Sequence, residues 1–108
     1  MQDNLSFMKD FRPLDETEMA AVARVREIFR SKNLIPCTAC RYCTDGCPAG
    51  IDIPTVFRSA NDLHSDQGGS PQQIAPEAAK CIGCGQCAAV CPQHLNIPEL
   101  MTHLAENP

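Results

Sequence analysis

The sequence predicts a small, mostly α-helical chain whose C-terminal two thirds is an internal repeat. From Cys37 onward the residues recur with a constant offset of 44, so that Cys37 corresponds to Cys81 and Pro54 to Pro98. In both copies an Asx residue and then a proline stand where a helix would begin, because Asp and Asn accept hydrogen bonds from free amides and proline fits the first turn. No alternating apolar run is long enough to predict a strand.

Residues 1–36 are predicted to form an extended lead-in followed by one amphipathic helix. Asp15 is placed as the N-cap residue, and Glu18 three residues later completes a capping box. Asn33 followed by Pro36 predicts the end of this helix. Its apolar residues recur at helical spacing and form one stripe, which consists of Met19, Val22, Val25, Ile28 and Phe29. The stripe predicts a helix that packs into a core.

Residues 37–108 are predicted to form one domain with repeat 1 at about 37–63 and repeat 2 at about 81–104. In each repeat a cysteine loop leads into a helix with one apolar face. The first face consists of Val56, Phe57, Ala60 and Leu63, and the second of Ile97, Leu100, Met101 and Leu104. The domain is therefore expected to have an internal pseudo-twofold arrangement.

The segment between the two repeats has the composition of a surface loop. Residues 65–73 are rich in Gly, Ser, Gln and Pro, which predicts a mobile loop. Residues 75–80 are predicted to form one short helical turn that leads to Cys81.

Composition and charge restrict the possible functions. A chain of 108 residues buries little apolar surface, and with eight cysteines and no tryptophan, cysteine chemistry is expected to replace part of an aromatic core. The N-terminus is polar, and no stretch is long enough to span a membrane, so we expect a cytoplasmic protein with reduced thiols. A formal charge of -4 argues against nucleic acid as a partner.

The cysteines form the pattern CxxCxxCxxxCP twice, as CTACRYCTDGCP and CIGCGQCAAVCP. Three closely spaced thiolates suit three corners of an iron-sulfide cube, so the pattern predicts two 4Fe-4S clusters. In two-cluster ferredoxins the fourth cysteine of each run ligates the other cluster. The predicted ligands are therefore Cys37, Cys40, Cys43 and Cys91 for the first cluster, and Cys81, Cys84, Cys87 and Cys47 for the second.

The cysteines have two other possible uses, as zinc ligands or in disulfides. Structural zinc usually takes cysteines as two CxxC pairs separated by a longer loop, and disulfides belong to oxidising compartments. The alternative function is a structural metal module, with zinc or iron-sulfur, that mediates protein-protein contact. With eight thiolates available, His64, His94 and His103 are expected to be surface or packing residues.

The sequence contains no pattern for chemistry on an organic substrate. It has no nucleophile-base pair, no paired catalytic carboxylates, no Walker loop and no GxGxxG motif. We therefore expect one-electron transfer to or from a partner and no substrate site in this domain. Two clusters with a charge of -2 each take the formal charge from -4 to about -8, so the partner's docking surface is expected to be basic.

Beside its cysteine runs the chain contains the segments IDIP, NIPEL and LIPCTACRYCTDGCP. With these features it resembles the C-terminal ferredoxin-like region of iron-sulfur aldo/keto reductases. The lead-in DNLSFMKDFRPLDETEMAAVARV resembles the junction that follows the catalytic barrel in that family. The resemblance implies that an aldo/keto reductase barrel, a redox protein, or both are the partners, and that the barrel's catalytic residues are not in this chain. The 33 residues between Cys47 and Cys81 are also similar to the spacing in helical ferredoxins of fumarate reductase and heterodisulfide reductase subunits, which implies a helical ferredoxin-like fold.

Overall fold

The computed structural model describes residues 2–65 and 71–107, and within these ranges the chain is mostly helical and has no strand. The predicted mostly α-helical fold class is therefore confirmed. The chain divides into two compact units, Met1–Asn33 and Leu34–Pro108. The helices are α1 Gln2–Ser6 and α2 Glu16–Ser31 in the first unit, and α3 Tyr42–Asp45, α4 Ile53–His64, α5 Pro71–Ala78, α6 Gln86–Ala89 and α7 Ile97–Glu106 in the second.

Helix α2 begins at the predicted capping box. The Asp15 carboxylate accepts a hydrogen bond from the Glu18 N–H at 2.8 Å, and the Glu18 carboxylate accepts one from the Asp15 N–H at 2.9 Å. Arg12 donates to both carboxylate oxygens of Glu18, and this interaction lowers the pKa of Glu18 below its ordinary value. The helix ends as predicted, since Asn33 follows it in the left-handed region with φ of 48°.

Two expectations for the first unit are not met. The lead-in contains the short helix α1, and the apolar stripe of α2 does not pack into a core. Its five members are each between 51% and 67% exposed. Neither α1 nor α2 has a buried residue, because the unit offers a 16-residue helix only a five-residue helix as a possible partner.

The second unit keeps the 44-residue repeat in its backbone conformation. Each CxxCxxC loop ends in a one-turn helix, α3 or α6, and each then leads into a longer helix, α4 or α7. Three equivalent pairs of residues share a left-handed φ, namely Ala39 and Gly83, Arg41 and Gly85, and Gly50 and His94. The residues before α4 and α7, Asp52 and Asn96, also have nearly the same φ and ψ.

Helix α5 occupies a segment that was predicted to be a mobile loop and then a single turn. It starts at Pro71, so residues 71–73 are helical, while residues 66–70 of the predicted loop lie outside the described residues. Ile74 is fully buried and Ala78 is 1% exposed, and α5 packs against both α4 and α7. Burial of these two side chains outweighs the loop-like composition of the segment.

The core of the second unit lies where α4, α5 and α7 meet the cysteine loops. The predicted apolar faces of α4 and α7 are confirmed, because Val56, Phe57 and Ala60 are buried on one and Ile97, Met101 and Leu104 on the other. Leu63 and Leu100 are partly buried against this core. In the described part of the chain, no helix is both long enough and apolar enough to span a membrane.

Candidate metal centres

The eight cysteines are all in the second unit and have no disulfide partners. Cys43 and Cys87 lie in the one-turn helices α3 and α6 and are buried. Cys40 and Cys84 are exposed, and the remaining four cysteines are partly buried. Thiols at equivalent positions of the two repeats therefore have the same degree of exposure.

The first candidate centre is a pocket in which three cysteines of one repeat meet the fourth cysteine of the other. Cys37, Cys40 and Cys43 line it together with Cys91. The other lining residues are Thr38, Arg41, Ile53, Pro54, Phe57, Pro92, Gln93, Leu95 and Ile97. The structure thus brings together the four cysteines that the sequence pattern predicts for the first cluster.

The second candidate centre has the same construction with the repeats exchanged. Cys81, Cys84 and Cys87 line it together with Cys47. The other lining residues are Pro48, Ala49, Ile51, Ile53, Ile82, Gly85, Ile97, Pro98 and Met101. Neither pocket is lined by His64, His94 or His103.

Two isoleucines form a wall that is shared by the pockets. Ile53 and Ile97 line both of them, and these side chains are only 1% and 2% exposed. They occupy equivalent positions of the repeat, each at the start of the helix that follows the cysteine loop. Helical spacing predicts Ile97 on an apolar helix face but does not identify either residue as a wall, although the 44-residue offset relates them.

Replacing one wall residue is expected to affect both centres. Ile97→Ala should lower the free energy of unfolding by about 2–5 kcal/mol, because it leaves a cavity at a buried site. It should also shift the reduction potentials of both clusters, since water and polarity near the sulfurs influence the potential. Denaturant unfolding and a redox titration measure the two effects.

Met101→Ala is the matched control for this prediction, because Met101 is fully buried but lines only the second of the two pockets. It should cost a similar free energy of unfolding and shift only one potential. If Ile97→Ala shifted only one of the two reduction potentials, the assignment of a shared wall would be wrong.

Burial affects the two innermost thiols in the same way. Desolvation raises the pKa of the Cys43 thiol, against an opposing contribution from the Thr44 hydroxyl. Desolvation likewise raises the pKa of the Cys87 thiol, and backbone hydrogen bonds oppose it there. A buried thiolate needs a compensating positive charge, and metal coordination supplies one.

Other groups around the cysteines fit an iron-sulfur cluster. Thr44 Oγ1 is buried beside Cys43 and makes no hydrogen bond of satisfactory geometry in the described structure. In the same described part, the N–H groups of residues 38–41 and 82–85 donate to no backbone carbonyl. Cluster and thiolate sulfurs accept hydrogen bonds from such donors, so the cysteine loops have donors available for this role.

Four thiolates around one zinc ion lie about 3.8 Å from one another, because each zinc-sulfur bond is about 2.3 Å long. Within residues 2–65 and 71–107, no three His, Cys, Asp or Glu side chains are grouped closely enough to hold one ion.

A charged pair lies beside the first pocket and has no equivalent at the second. Arg41 lines the pocket, and its guanidinium donates to Asp52 Oδ2 at 3.0 Å. Desolvation, the largest contribution, raises the pKa of Asp52, but hydrogen bonds from Arg41 and Thr55 together lower it below its ordinary value. The equivalent residues in the second repeat are Gly85 and Asn96, so the second pocket lacks this ion pair.

Comparison with known proteins agrees with this chemistry. Residues 36–95, more than half of the chain, match the family described as 4Fe-4S dicluster domain. A stretch of 37 residues is 46% identical to acetyl-CoA decarbonylase/synthase complex subunit alpha 1 of Methanosarcina thermophila. That match covers 34% of this chain but only 5% of the relative. No solved structure matches the chain significantly.

Proposed function

We propose that this chain, which belongs to the 4Fe-4S dicluster domain family, relays single electrons to or from the active site of a partner oxidoreductase. The family and the eight cysteines account for two 4Fe-4S clusters as its cofactors. The observation that carries the proposal is the pair of adjacent pockets, each lined by four thiols and otherwise mainly by apolar residues. Two centres that share one apolar wall are suited to passing an electron from one to the other.

We further propose that each repeat completes the cluster of the other. Cys91 would join Cys37, Cys40 and Cys43 in the first cluster, and Cys47 would join Cys81, Cys84 and Cys87 in the second. The composition of the two pockets supports this assignment, because each fourth cysteine shares a pocket with the three cysteines of the opposite repeat. The dicluster domain proposed on this basis is residues 37–108.

Each cluster, when bound, can accept one electron and give it back. The side chains of this chain determine where that exchange occurs. Ile53 and Ile97 exclude water between the centres, whereas the exposed Cys40 and Cys84 leave each centre one edge towards solvent. We therefore propose that a partner exchanges electrons at one of these edges.

The partner is proposed to be the catalytic domain or subunit of an oxidoreductase, or a separate redox protein. The resemblance to iron-sulfur aldo/keto reductases favours a barrel of that family. The matched relative is instead a subunit of an acetyl-CoA decarbonylase/synthase complex, and the chain spans only a twentieth of its length. Because thiolate ligands need reduced cysteines, we place the protein in the reducing cytoplasm.

Metal analysis and a reductive titration of anaerobically purified protein test the proposed function. We expect about eight iron atoms and about eight sulfides per chain, as two 4Fe-4S clusters require. The visible absorption should bleach on reduction, and a paramagnetic signal should appear and then disappear on reoxidation. Protein stripped of metal serves as the control and should show neither change.

The alternative function, a structural module that only shapes a protein-protein contact, predicts different results. A colourless protein loaded with zinc would contradict the relay. Clusters that lose iron when they are repeatedly reduced and reoxidised would also contradict the relay.

A further inference from the structure

The segment that leads into Cys37 is held by the side chain of Asn61, in the last turn of α4. Asn61 Oδ1 accepts a hydrogen bond from the Ile35 N–H at 2.8 Å, and Asn61 Nδ2 donates to the Ile35 carbonyl at 2.8 Å. The Cys37 N–H donates to the same carbonyl, also at 2.8 Å. A single amide side chain is thus bound to the backbone two residues before the first predicted ligand.

The second repeat approaches its first cysteine in another way. The positions equivalent to Ile35 and Asn61 are Ala79 and Ala105, whose side chains cannot form hydrogen bonds. Helix α5 leads to Cys81 instead, with the Ala79 N–H bound to the Ala75 carbonyl and the Cys81 N–H to the Ala78 carbonyl. The buried side chains of this helix, Ile74 and Ala78, anchor it in the core.

No corresponding helix precedes Cys37 within its unit, because the second unit begins at Leu34. Its lead into the first cysteine is three residues long, and Ile35 is the middle one. Ile35 is partly buried and packs against the core, so its hydrogen bonds to Asn61 are partly shielded from water and correspondingly stronger. The two hydrogen bonds fix this short segment in place, as α5 fixes the segment before Cys81.

We infer that Asn61 is a positioning residue for the first cluster, which it serves by fixing Ile35 and thereby the backbone of Cys37. The inference rests on the proposed function, since it assumes a cluster held by Cys37. Ligands must be held within a fraction of an ångström of their working positions, and residues that orient them contribute strongly to metal affinity. Asn61 also lines a surface groove together with Cys37, Arg41 and Arg58, which places it beside the same centre.

The test compares three variants of the whole chain under anaerobic conditions. Asn61→Leu keeps the approximate size of the side chain and removes both hydrogen bonds. Asn61→Asp keeps the acceptor for the Ile35 N–H and loses the donor. His64→Ala is the control, because His64 is exposed on the same helical turn and lines neither the two pockets nor this groove.

The rate of iron loss to a chelator and the reduction potential are measured for each cluster, with Cys37→Ser and Cys81→Ser used to assign the signals. We expect Asn61→Leu to lose iron from the first cluster at least about tenfold faster than the unchanged chain, and to shift the potential of that cluster alone. Asn61→Asp should lose iron at an intermediate rate. His64→Ala should resemble the unchanged chain.

Two results would overturn the inference while leaving the proposed function intact. In one, Asn61→Leu leaves the first cluster unchanged, and in the other it weakens both clusters equally, as general destabilisation would. If Asn61→Leu does not fold, the same criteria apply to Asn61→Asp. Absence of two reducible clusters from the unchanged chain would contradict the proposed function itself.

Discussion

Changing Cys47 to Ser is expected to damage the second cluster and spare the first. Cys47 belongs to the first CxxCxxCxxxCP run, but it lines the pocket of Cys81, Cys84 and Cys87. Loss of its thiolate removes one of four ligands there, so that cluster should lose one iron and become a three-iron species, or disappear. Electron paramagnetic resonance and iron analysis of the anaerobically purified variant measure this.

Cys91→Ser is the reciprocal variant and should damage the first cluster, because Cys91 lines the pocket of Cys37, Cys40 and Cys43. Reference spectra come from Cys40→Ser and Cys84→Ser, whose thiols occur at equivalent positions of the two repeats. Under crossed ligation, Cys47→Ser resembles Cys84→Ser and Cys91→Ser resembles Cys40→Ser. The opposite pairing would show that each run serves its own cluster, and the crossed assignment would be wrong.

Removing both clusters is expected to unfold most of the region from Cys37 to Leu104. The metal pockets and the hydrophobic core are not separate, since the thiols of Cys43 and Cys87 are part of the core and Ile53 and Ile97 line both pockets. Ligation therefore contributes free energy of folding directly, as it does in zinc-finger peptides, where binding of one zinc ion supplies on the order of 10 kcal/mol. Helices α4, α5 and α7 meet at this core and should be lost together.

Circular dichroism before and after anaerobic chelation with oxidation measures this loss, and a melt of each form shows whether it unfolds cooperatively. Residual helical signal is expected to come from α2, whose capping box and Arg12–Glu18 ion pair lie outside the cluster region. Protein carried through the same procedure without chelator or oxidant is the control. An unchanged cooperative melt after metal removal would contradict the prediction.

Local features of the fold were predictable because short-range chemistry determines them. The capping box of Asp15 and Glu18 depends on residues three positions apart, and the apolar faces of α4 and α7 depend on helical periodicity. The repeated cysteine pattern similarly identifies the donor atoms and their number, which is enough to predict two clusters. None of these inferences requires knowledge of which distant segments meet.

The sequence by itself determined the cofactor chemistry, the repeat and the helices that follow the cysteine loops, because each is encoded in neighbouring residues. Tertiary structure brings the fourth cysteine of each run into the pocket of the other run, the pairing that the motif predicts by analogy with two-cluster ferredoxins, because segments 44 residues apart meet there. It also decided that 71–78 is a helix, through burial of Ile74, and that Asn61 binds Ile35 across 26 residues. Composition and periodicity carry no such information, because the free energy of these features comes from contacts between distant parts of the chain.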